Sequence, residues 1–237
     1  MSLPRLAAVC VAPREGLTMG LGAEQAQHLR ALRMKPGEAL ELLLEQGPWR
    51  AELVALERGG TTLRLVAPLA EDREAPVSID VYLPVTAQLA LVDDLIPPLV
   101  ELGASRLRPT IWERSEYDAR KTLARMDRWR RILVGAAEQS HRSKVPMLDD
   151  PAPFDALLRC TMAQRWVAYE VPSDTRNPAL GAGPIALASG PEGGITDAEI
   201  ARLVQAGWRP VGLGKSILRA VTAPVALLGA VRFELGK

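Results

Sequence analysis

Two glycine-rich segments in the C-terminal part of the chain have the composition of ligand-binding loops. Residues 190–194 are Gly-Pro-Glu-Gly-Gly, and residues 212–214 are Gly-Leu-Gly. Glycines let a backbone turn tightly and let a ligand approach its amide groups closely. Each segment follows a short extended stretch, and α/β proteins bind cofactors at the carboxyl ends of their strands. Taken alone, the first segment also fits a plain tight turn, but the two segments together favour a cofactor cleft.

The second segment continues into Gly-Lys-Ser at residues 214–216, which is how a phosphate-binding P-loop ends. A P-loop also needs a glycine five residues before Gly214, and the residue there is Arg209. Pro210 is likewise a poor residue for a nest of backbone amides. The sequence therefore argues against a nucleoside triphosphatase.

A local excess of positive charge lies between Arg114 and Lys144. This segment contains nine Lys or Arg and four Asp or Glu, whereas the whole chain has a formal net charge of +1. A basic surface on a nearly neutral protein is typical of docking to a polyanion at one place. A solvated helix face with incidental arginines is the alternative that charge alone leaves open.

Cysteine and histidine are too few to form a metal site. The chain has two of each, namely Cys10, Cys160, His28 and His141, and their spacing matches no zinc motif. We therefore expect no metal, two free thiols and a reducing, cytoplasmic location. We also expect no membrane association, because no apolar run approaches the ~20 residues that a membrane-spanning helix needs.

The elements that must position the two loops divide into two predicted domains. Residues 1–70 are rich in strand patterns and contain one short helix at 23–34, which fits a compact barrel. The charged segment 67–76 contains two prolines and no periodicity, so we place the domain boundary there. From Val77 strands and helices alternate, which predicts a mainly parallel α/β sheet.

Several helices are predicted in this second part of the chain. An amphipathic stripe predicts one long helix over Asp118–Ser140. Thr196 followed by Glu199 has the pattern of a capping box and predicts a helix that begins there. Further helices are expected over residues 217–233 and over residues 87–102, where two adjacent prolines should kink or shorten the helix.

Five stretches of the chain, in the same order, resemble one known family. They are QHLRALRMKPGEALEL (27–42), ELGASRLRP (101–109), ERSEY (113–117), RWRRILVGAAEQSHRSKVP (128–146), and GPEGGITDAEI with LGKSILRAVTAPVALL (190–200 and 213–228). They are similar to the corresponding segments of the RsmE family. Members of that family are SPOUT-class methyltransferases that modify N3 of a uridine in small-subunit ribosomal RNA. The resemblance covers nearly the whole chain.

The resemblance implies a fold, a cofactor and partners. Residues 1–70 would form a PUA-like β-barrel that contacts RNA. Residues 77–237 would form a SPOUT α/β domain with a deep trefoil knot at about 184–230, which is an exception to the rule against knotted chains. The chain would act as a homodimer on N3 of a specific uridine in 16S ribosomal RNA, with S-adenosylmethionine held in the knot loops. The implied cofactor-binding residues are Leu187, Ser189, Gly190, Glu192, Gly193, Gly194, Leu213, Gly214, Ile217, Leu218 and Arg219.

Methylation of N3 places a chemical demand on the site. N3 is a poor nucleophile until its proton is lost, and the negative charge then spreads onto the neighbouring carbonyl oxygens, so the site needs a base or a cation. Arg219 is our first candidate for that cation, and a structural arginine that caps backbone carbonyls is the alternative. Glu138 and Gln139 either orient the uracil or bridge a dimer. The expected RNA contacts are Arg30, Arg33, Lys35, Arg114, Arg128, Arg131, Arg142 and Lys144.

The sequence departs from the family pattern at several positions. Gln88 and Pro98 stand where lysines usually occur, while Ser216 and Val221 replace an arginine and a glutamate. These changes favour a second hypothesis, a non-catalytic RNA-binding or ribosome-assembly factor on a decayed SPOUT scaffold. The intact segment 190–194 opposes that hypothesis. A SPOUT methyltransferase with a shifted RNA target is a third hypothesis.

Overall fold

The computed structural model describes residues 3–70, 72–116, 118–170 and 177–236. Contacts divide the chain into an N-terminal unit, Met1–Glu74 with Ala137–Val145, and a C-terminal unit, Ala75–Ala136 with Pro146–Lys237. The division after Glu74 falls inside the charged segment 67–76, but no sequence pattern signals that residues 137–145 belong to the N-terminal unit. Tyr117, the last residue of the ERSEY stretch, lies outside the described residues.

The N-terminal unit contains a five-stranded sheet and a helix. Its elements are β1 (Arg5–Ala7), β2 (Thr18–Leu21), α1 (Ala23–Ala31), β3 (Ala39–Leu44), β4 (Gly47–Glu57) and β5 (Gly60–Pro68). The strand order is β1-β3-β4-β5-β2, with β1 parallel to β3 and the other neighbours antiparallel. Strands β1 and β2 are the edges, and within the described residues no pairing between them closes the sheet into a barrel.

Leucines of the central strands form the core of this unit. Leu40, Leu42, Leu53, Leu63 and Leu65 are completely buried, and the alternation along β5 sends every second residue inward. This pattern predicts β3, β4 and β5 from the sequence, and the structure confirms them. Strand β2 is found only in the structure, since its four residues include a glycine and none of them is fully buried.

The C-terminal unit is a seven-stranded sheet with helices. Its elements are β6 (Ile79–Pro84), α2 (Leu89–Glu101), β7 (Arg106–Ile111), α3 (Ala119–Leu123), α4 (Met126–Gln139, whose last residues belong to the N-terminal unit), β8 (Met147–Leu148), β9 (Ala152–Pro153), α5 (Asp155–Leu158), β10 (Gln164–Ala168), β11 (Ile185–Ala188), α6 (Asp197–Gln205), β12 (Arg209–Val211) and α7 (Ala223–Leu235). The order is β12-β10-β11-β6-β7-β8, β9 also pairs with β7, and every pair is parallel. The predicted parallel α/β sheet is confirmed.

Central strands of this sheet are covered on both faces. All residues of β6 and β11 are buried, and β11 is a continuous apolar run, whereas β6 includes the buried carboxylate of Asp80, which is paired with Arg108. Helix α7 packs on β10, β11 and α2, while α6 packs on β12 and α5. Within the described ranges, no helix is both long enough and apolar enough to span a bilayer.

Two helix predictions are wrong in their bounds, whereas the helix expected over residues 87–102 is found within two residues of those bounds. Helix α2 runs through Pro97 and Pro98 to Glu101, because its buried face (Val92, Asp93, Leu95, Ile96, Leu99 and Val100) holds it in place despite the missing backbone bonds. The segment 118–140 forms two helices, α3 and α4, separated at residues 124–125. The last helix begins at Ala223 rather than at residue 217, and Pro224 lies in its first turn, where a proline loses no helical hydrogen bond.

Candidate active site

A cleft of about 660 Å³ opens beside the carboxyl ends of β10, β11 and β12. This volume lies in the range of small-molecule sites in proteins. The cleft is lined by Ala168, Tyr169, Glu170, Ser189, Gly190, Pro191, Glu192, Gly193, Gly194, Ile195, Val211, Leu213, Gly214, Ser216, Ile217, Leu218, Arg219, Ala220 and Val221, together with Leu91, Arg114 and Ala223. Both glycine-rich segments therefore meet in one cleft.

Packing leaves no room for a side chain at Gly193 in the first glycine loop. A Cβ atom added to Gly193 would lie 2.8 Å from Cβ of Arg114, and 3.2 Å from its carbonyl oxygen. Gly194 has a φ of 76° and donates its amide hydrogen to the carbonyl of Pro191 at 2.9 Å. The loop is thus a tight turn packed directly against Arg114.

Arg114 belongs to the segment that follows β7, and it contacts the glycine loop directly. Its Nη1 donates to the carbonyl oxygen of Gly193 at 2.9 Å, and its side chain lines the cleft. Sequence reasoning assigns Arg114 to RNA, whereas the structure places it beside the loop predicted to bind the cofactor. Its position is compatible with contacts to the cofactor and to RNA.

The residue before Arg114 ties the same segment to helix α6. The amide of Glu113 donates to Oε1 of Glu199 at 2.8 Å, and Oγ1 of Thr196 lies 3.2 Å from Oε2 of Glu113. Thr196 and Glu199 form the predicted capping box with both of its bonds present. The first turn of α6, which follows the first glycine loop, is therefore held by its own capping box and by the hydrogen bonds to Glu113.

Glu192, an acidic residue that lines the cleft, accepts a hydrogen bond from a backbone amide. Oε2 of Glu192 accepts a hydrogen bond from the amide of Ala87 at 3.1 Å, in the loop between β6 and α2. This bond fixes the middle of the first glycine loop to a neighbouring loop. It also leaves Glu192 with less freedom to serve a ligand than its exposure suggests.

Ser189 presents an unsatisfied hydroxyl at the cleft. It lies directly after β11 and is 1% exposed, and its Oγ has no hydrogen-bond partner within the described part of the chain. A buried hydroxyl without a partner costs about 1–3 kcal/mol. A ligand that hydrogen-bonds to this oxygen would remove the penalty.

Arg219 lies in the loop between β12 and α7. Its exposed side chain lines the cleft, and among the described residues it makes no hydrogen bond or ion pair. Within the described ranges this guanidinium caps no backbone carbonyl, so the alternative of a structural arginine finds no support there. The backbone carbonyl of Arg219 accepts hydrogen bonds from the amides of Thr222 and Ala223 at 2.8 and 3.0 Å.

The predicted cofactor residues line this cleft with one exception. Leu187 is a core residue of β11, where it pairs with Val81 on one side and Trp166 on the other, so its backbone is already engaged in the sheet. Sequence reasoning missed Tyr169 and Glu170, which also line the cleft. The sequence gives a signal for both residues, because Tyr169 comes directly after strand β10 and Glu170 is the next residue.

The remaining two predicted catalytic residues do not line the cleft. Glu138 belongs to the N-terminal unit, where its Oε1 accepts a hydrogen bond from the amide of Ala7 at 2.7 Å. Burial raises the pKa of the Glu138 carboxyl, and the bond from Ala7 opposes that shift. Gln139 is exposed at the end of α4. An orienting role for either residue stays a prediction.

Three predicted RNA contacts cluster at the C-terminal end of α1. Arg30, Arg33 and Lys35 are all exposed, and Arg30 donates to the carbonyl of Glu57. Arg33 has a φ of 58°, a left-handed conformation that favours glycine. Arg33 therefore occupies a strained backbone conformation.

The other predicted RNA contacts differ in how free they are. Arg131 and Lys144 are exposed, whereas Nε of Arg128 lies 2.6 Å from Oδ2 of Asp93. Arg142 is 4% exposed, and its Nε lies 3.0 Å from both carboxylate oxygens of Glu74. The prediction that Arg142 contacts RNA is therefore not supported, since its guanidinium is buried in an ion pair within the N-terminal unit.

Two further kinds of site can be judged from the structure. Gly-Lys-Ser at 214–216 does not open a helix, because α7 begins only at Ala223, and this differs from a P-loop. Among the described residues, no group of His, Cys, Asp or Glu side chains is arranged to hold a metal ion. The cleft is the site with the composition of a cofactor pocket.

Comparisons with known proteins agree on one family. Residues 73–232 match the RNA methyltransferase domain, and residues 21–66 match the RNA methyltransferase PUA domain. The chain is 35% identical to the ribosomal RNA small subunit methyltransferase E of Synechocystis sp., over 93% of this chain and 75% of that protein. It is 28% identical to the Bacillus subtilis protein of the same name, over 93% of this chain and 91% of that protein.

A solved structure extends the likeness to the fold. Ribosomal RNA small subunit methyltransferase E from Neisseria gonorrhoeae, crystallised bound to S-adenosyl methionine, superposes with a TM-score of 0.85. The match covers 97% of both chains at 28% identity. The chain belongs to the ribosomal RNA small subunit methyltransferase E family.

Proposed function

We propose that this protein transfers the methyl group of S-adenosylmethionine to N3 of a uridine in 16S ribosomal RNA. Membership of the family supports the reaction class, and the bound cofactor in the N. gonorrhoeae relative supports the choice of methyl donor. The observation that carries the proposal is the cleft, which brings two glycine-rich loops together with Arg219, an arginine that has no partner in the part of the chain that the structure describes.

The residues of the cleft fit this cofactor. The backbone of both glycine loops borders the cleft at Gly194 and Gly214, where an added Cβ would meet no described atom beyond its chain neighbours closer than 3.9 Å, so a ligand has room to approach these positions. Leu213 and Leu218 supply apolar surface for a base, and the unsatisfied hydroxyl of Ser189 calls for a polar group on a ligand. These residues would hold the cofactor by shape and by hydrogen bonds.

The chain's own residues would supply orientation and charge. When bound, S-adenosylmethionine provides a methyl group on a positively charged sulfur. The protein must align N3 with that methyl group, because in-line displacement depends on orientation. Arg219 would stabilise the negative charge on the uracil oxygens once the N3 proton has left. Its guanidinium suits that role because it donates two parallel hydrogen bonds.

RNA would be held by basic side chains of both units. The N-terminal unit offers Arg30, Arg33, Lys35 and Lys144, and the C-terminal unit offers Arg114, Arg128 and Arg131. Arg142 is left out of this set because it is buried. Extracting a base from its stack costs a few kcal/mol, which phosphate contacts would offset.

We extend the proposal to the assembly and the chain path. A homodimer and a trefoil knot over residues 184–230 are expected from the family. A PUA-like barrel in the N-terminal unit and a cytoplasmic location, where ribosomal RNA is made and modified, complete the proposal.

The proposal is tested by methyl transfer to unmodified RNA. Small ribosomal subunits and free 16S RNA from a strain that lacks the modification are incubated with the protein and with cofactor labelled in its methyl group. Digestion and mass spectrometry should find 3-methyluridine at one position. Cofactor binding by calorimetry without any transfer to either substrate would instead support the RNA-binding or assembly factor. A methyl group on another nucleotide would contradict the N3 assignment.

A further inference from the structure

One acidic side chain in the cleft has no partner among the described residues. The cleft contains two acids, Glu170 and Glu192, and Glu192 accepts from the amide of Ala87. Glu170 is exposed and lies two residues after the end of β10, and within the described ranges its carboxylate makes no hydrogen bond or ion pair. No described residue therefore competes with a ligand for its two oxygens.

The strand that carries Glu170 lies next to the strand that carries the first glycine loop. Strands β10 and β11 are parallel neighbours, with Val167 opposite Ala188, and the loop begins just beyond β11. In dinucleotide-binding α/β folds, an acidic residue near the glycine-rich loop hydrogen-bonds a ribose hydroxyl. Glu170 comes from the corresponding place in this sheet, beyond the carboxyl end of the neighbouring strand.

Four groups of S-adenosylmethionine attract a carboxylate: the vicinal hydroxyls of the ribose, the ammonium group, the sulfonium and the exocyclic amino group of the adenine. The two hydrogens of that amino group point in different directions, so it presents only one of them to a carboxylate. A carboxylate beside the sulfonium would stabilise positive charge that disappears during transfer, and so would slow the reaction. A carboxylate beside the ammonium would also lie near the ligand's own carboxylate and be repelled. The vicinal hydroxyls have none of these disadvantages, and their two donors match the two oxygens of Glu170.

We propose that Glu170 determines the specificity of the cleft for an adenosyl ligand by accepting hydrogen bonds from the ribose hydroxyls. This inference rests on the proposed binding of S-adenosylmethionine and adds the residue that recognises its sugar. Hydrogen bonds to a charged group are worth more than neutral ones, so the loss of Glu170 should weaken binding by about tenfold or more.

Calorimetry with three probes tests the assignment. S-adenosylmethionine carries all four groups, S-adenosylhomocysteine lacks the sulfonium, and 5′-methylthioadenosine lacks both the sulfonium and the ammonium but keeps the ribose. Glu170→Ala should weaken all three by a similar factor of about ten. Glu170→Gln keeps one acceptor oxygen and should lose less. Glu101→Ala, which removes an exposed acid at the end of α2 outside the cleft, should leave all three affinities unchanged.

The adenine amino group is present in all three probes, so adenosine and 2′,3′-dideoxyadenosine are compared as well. Glu170→Ala should weaken the binding of adenosine and leave that of 2′,3′-dideoxyadenosine unchanged, and an equal loss for both would place the carboxylate at the adenine and overturn the ribose assignment.

If Glu170→Ala weakens the binding of S-adenosylmethionine alone, the carboxylate lies at the sulfonium. If it weakens the binding of S-adenosylmethionine and S-adenosylhomocysteine but not that of 5′-methylthioadenosine, the carboxylate lies at the ammonium. Either result, or unchanged affinity for every probe, overturns the ribose assignment. Failure of the unmodified protein to bind any probe would overturn the proposed cofactor itself. Equal melting temperatures of the variants would exclude a loss of folding as the cause.

Discussion

Arg219 is the residue at which binding and chemistry can be separated. Its guanidinium lines the cleft and has no hydrogen-bond or ion-pair partner among the residues that the structure describes, so its removal should leave the fold and the cofactor affinity nearly unchanged. If it stabilises the uracil anion, Arg219→Ala should lower kcat by about a hundredfold or more. Arg219→Lys should recover only part of that loss, because an ammonium lacks the two-pronged donor geometry. Turnover kinetics, calorimetry and thermal melts on one preparation decide the matter, and a normal kcat in folded Arg219→Ala contradicts the role.

Two other residues, Arg33 and His141, hold left-handed conformations at helix ends. Their φ values are 58° and 59°, and at the equivalent positions after α2 and α6 the chain has Gly103 and Gly207. In each case the amide of the next residue bonds to a carbonyl five residues earlier, which is the Schellman motif in which glycine is usual. A charged or aromatic residue there carries backbone strain.

Single glycine substitutions at Arg33 and at His141 should distinguish an effect on stability from an effect on RNA binding. Arg33→Gly and His141→Gly should each raise the free energy of unfolding by up to about 1 kcal/mol, since strain is relieved while glycine gains freedom in the unfolded chain. Only Arg33→Gly should also weaken RNA affinity, because it removes an exposed guanidinium. Urea denaturation and filter binding measure the two effects. Equal RNA affinity in both variants would remove Arg33 from the RNA surface.

Loops gain their geometry from contacts between elements, and Asn177 provides one such contact. Its Nδ2 donates to the carbonyl of Gly212 at 2.8 Å, and the amide of Gly212 donates back to Oδ1 at 2.9 Å. This pair joins the segment after β10 to the start of the second glycine loop. Gln164 makes a similar pair with Gly181 at the other end of β10, with distances of 2.9 and 2.6 Å, and neither residue lines the cleft.

These matched pairs predict different consequences for the cofactor. Asn177→Ala should release Gly212 and weaken S-adenosylmethionine about fivefold, which corresponds to roughly one lost hydrogen bond. Gln164→Ala should leave that affinity unchanged, although each variant should melt at a slightly lower temperature. Calorimetry and thermal melts of both variants make the comparison. A similar loss of affinity in both variants, or in neither, would show that Asn177 does not position the loop.

At the scale of the whole molecule, a net charge of +1 offers little overall attraction for RNA. Binding must then depend on local basic side chains, so it should be strongly salt-dependent. The logarithm of affinity should fall with the logarithm of salt concentration by about 0.7 per phosphate neutralised on single-stranded RNA. Arg131→Glu should lower both the affinity and this slope. Arg202→Glu, which removes an arginine paired with Asp155 and assigned no RNA contact, is the charge-matched control.

Local patterns are sufficient for much of this protein. Short-range periodicity predicts β3 to β5 and the parallel sheet, and the spacing of Thr196 and Glu199 predicts the start of α6, because these features depend on residues within one turn or one strand. The composition of the two glycine segments likewise indicates ligand loops. The match to family segments identifies the family, since it draws on residue order along nearly the whole chain.

Tertiary structure alone decides the features that depend on distant residues. Pro97 and Pro98 remain inside a helix because buried neighbours hold it, and Arg142 is withdrawn from solvent by Glu74, which lies 68 residues earlier in the chain. The same holds for Glu170, which stays a lone acid in the sequence until two parallel strands bring it beside the glycine loop. A sequence pattern reports the preference of a residue for its local surroundings, whereas burial, pairing and availability to a ligand are set by which distant residues the fold places next to it.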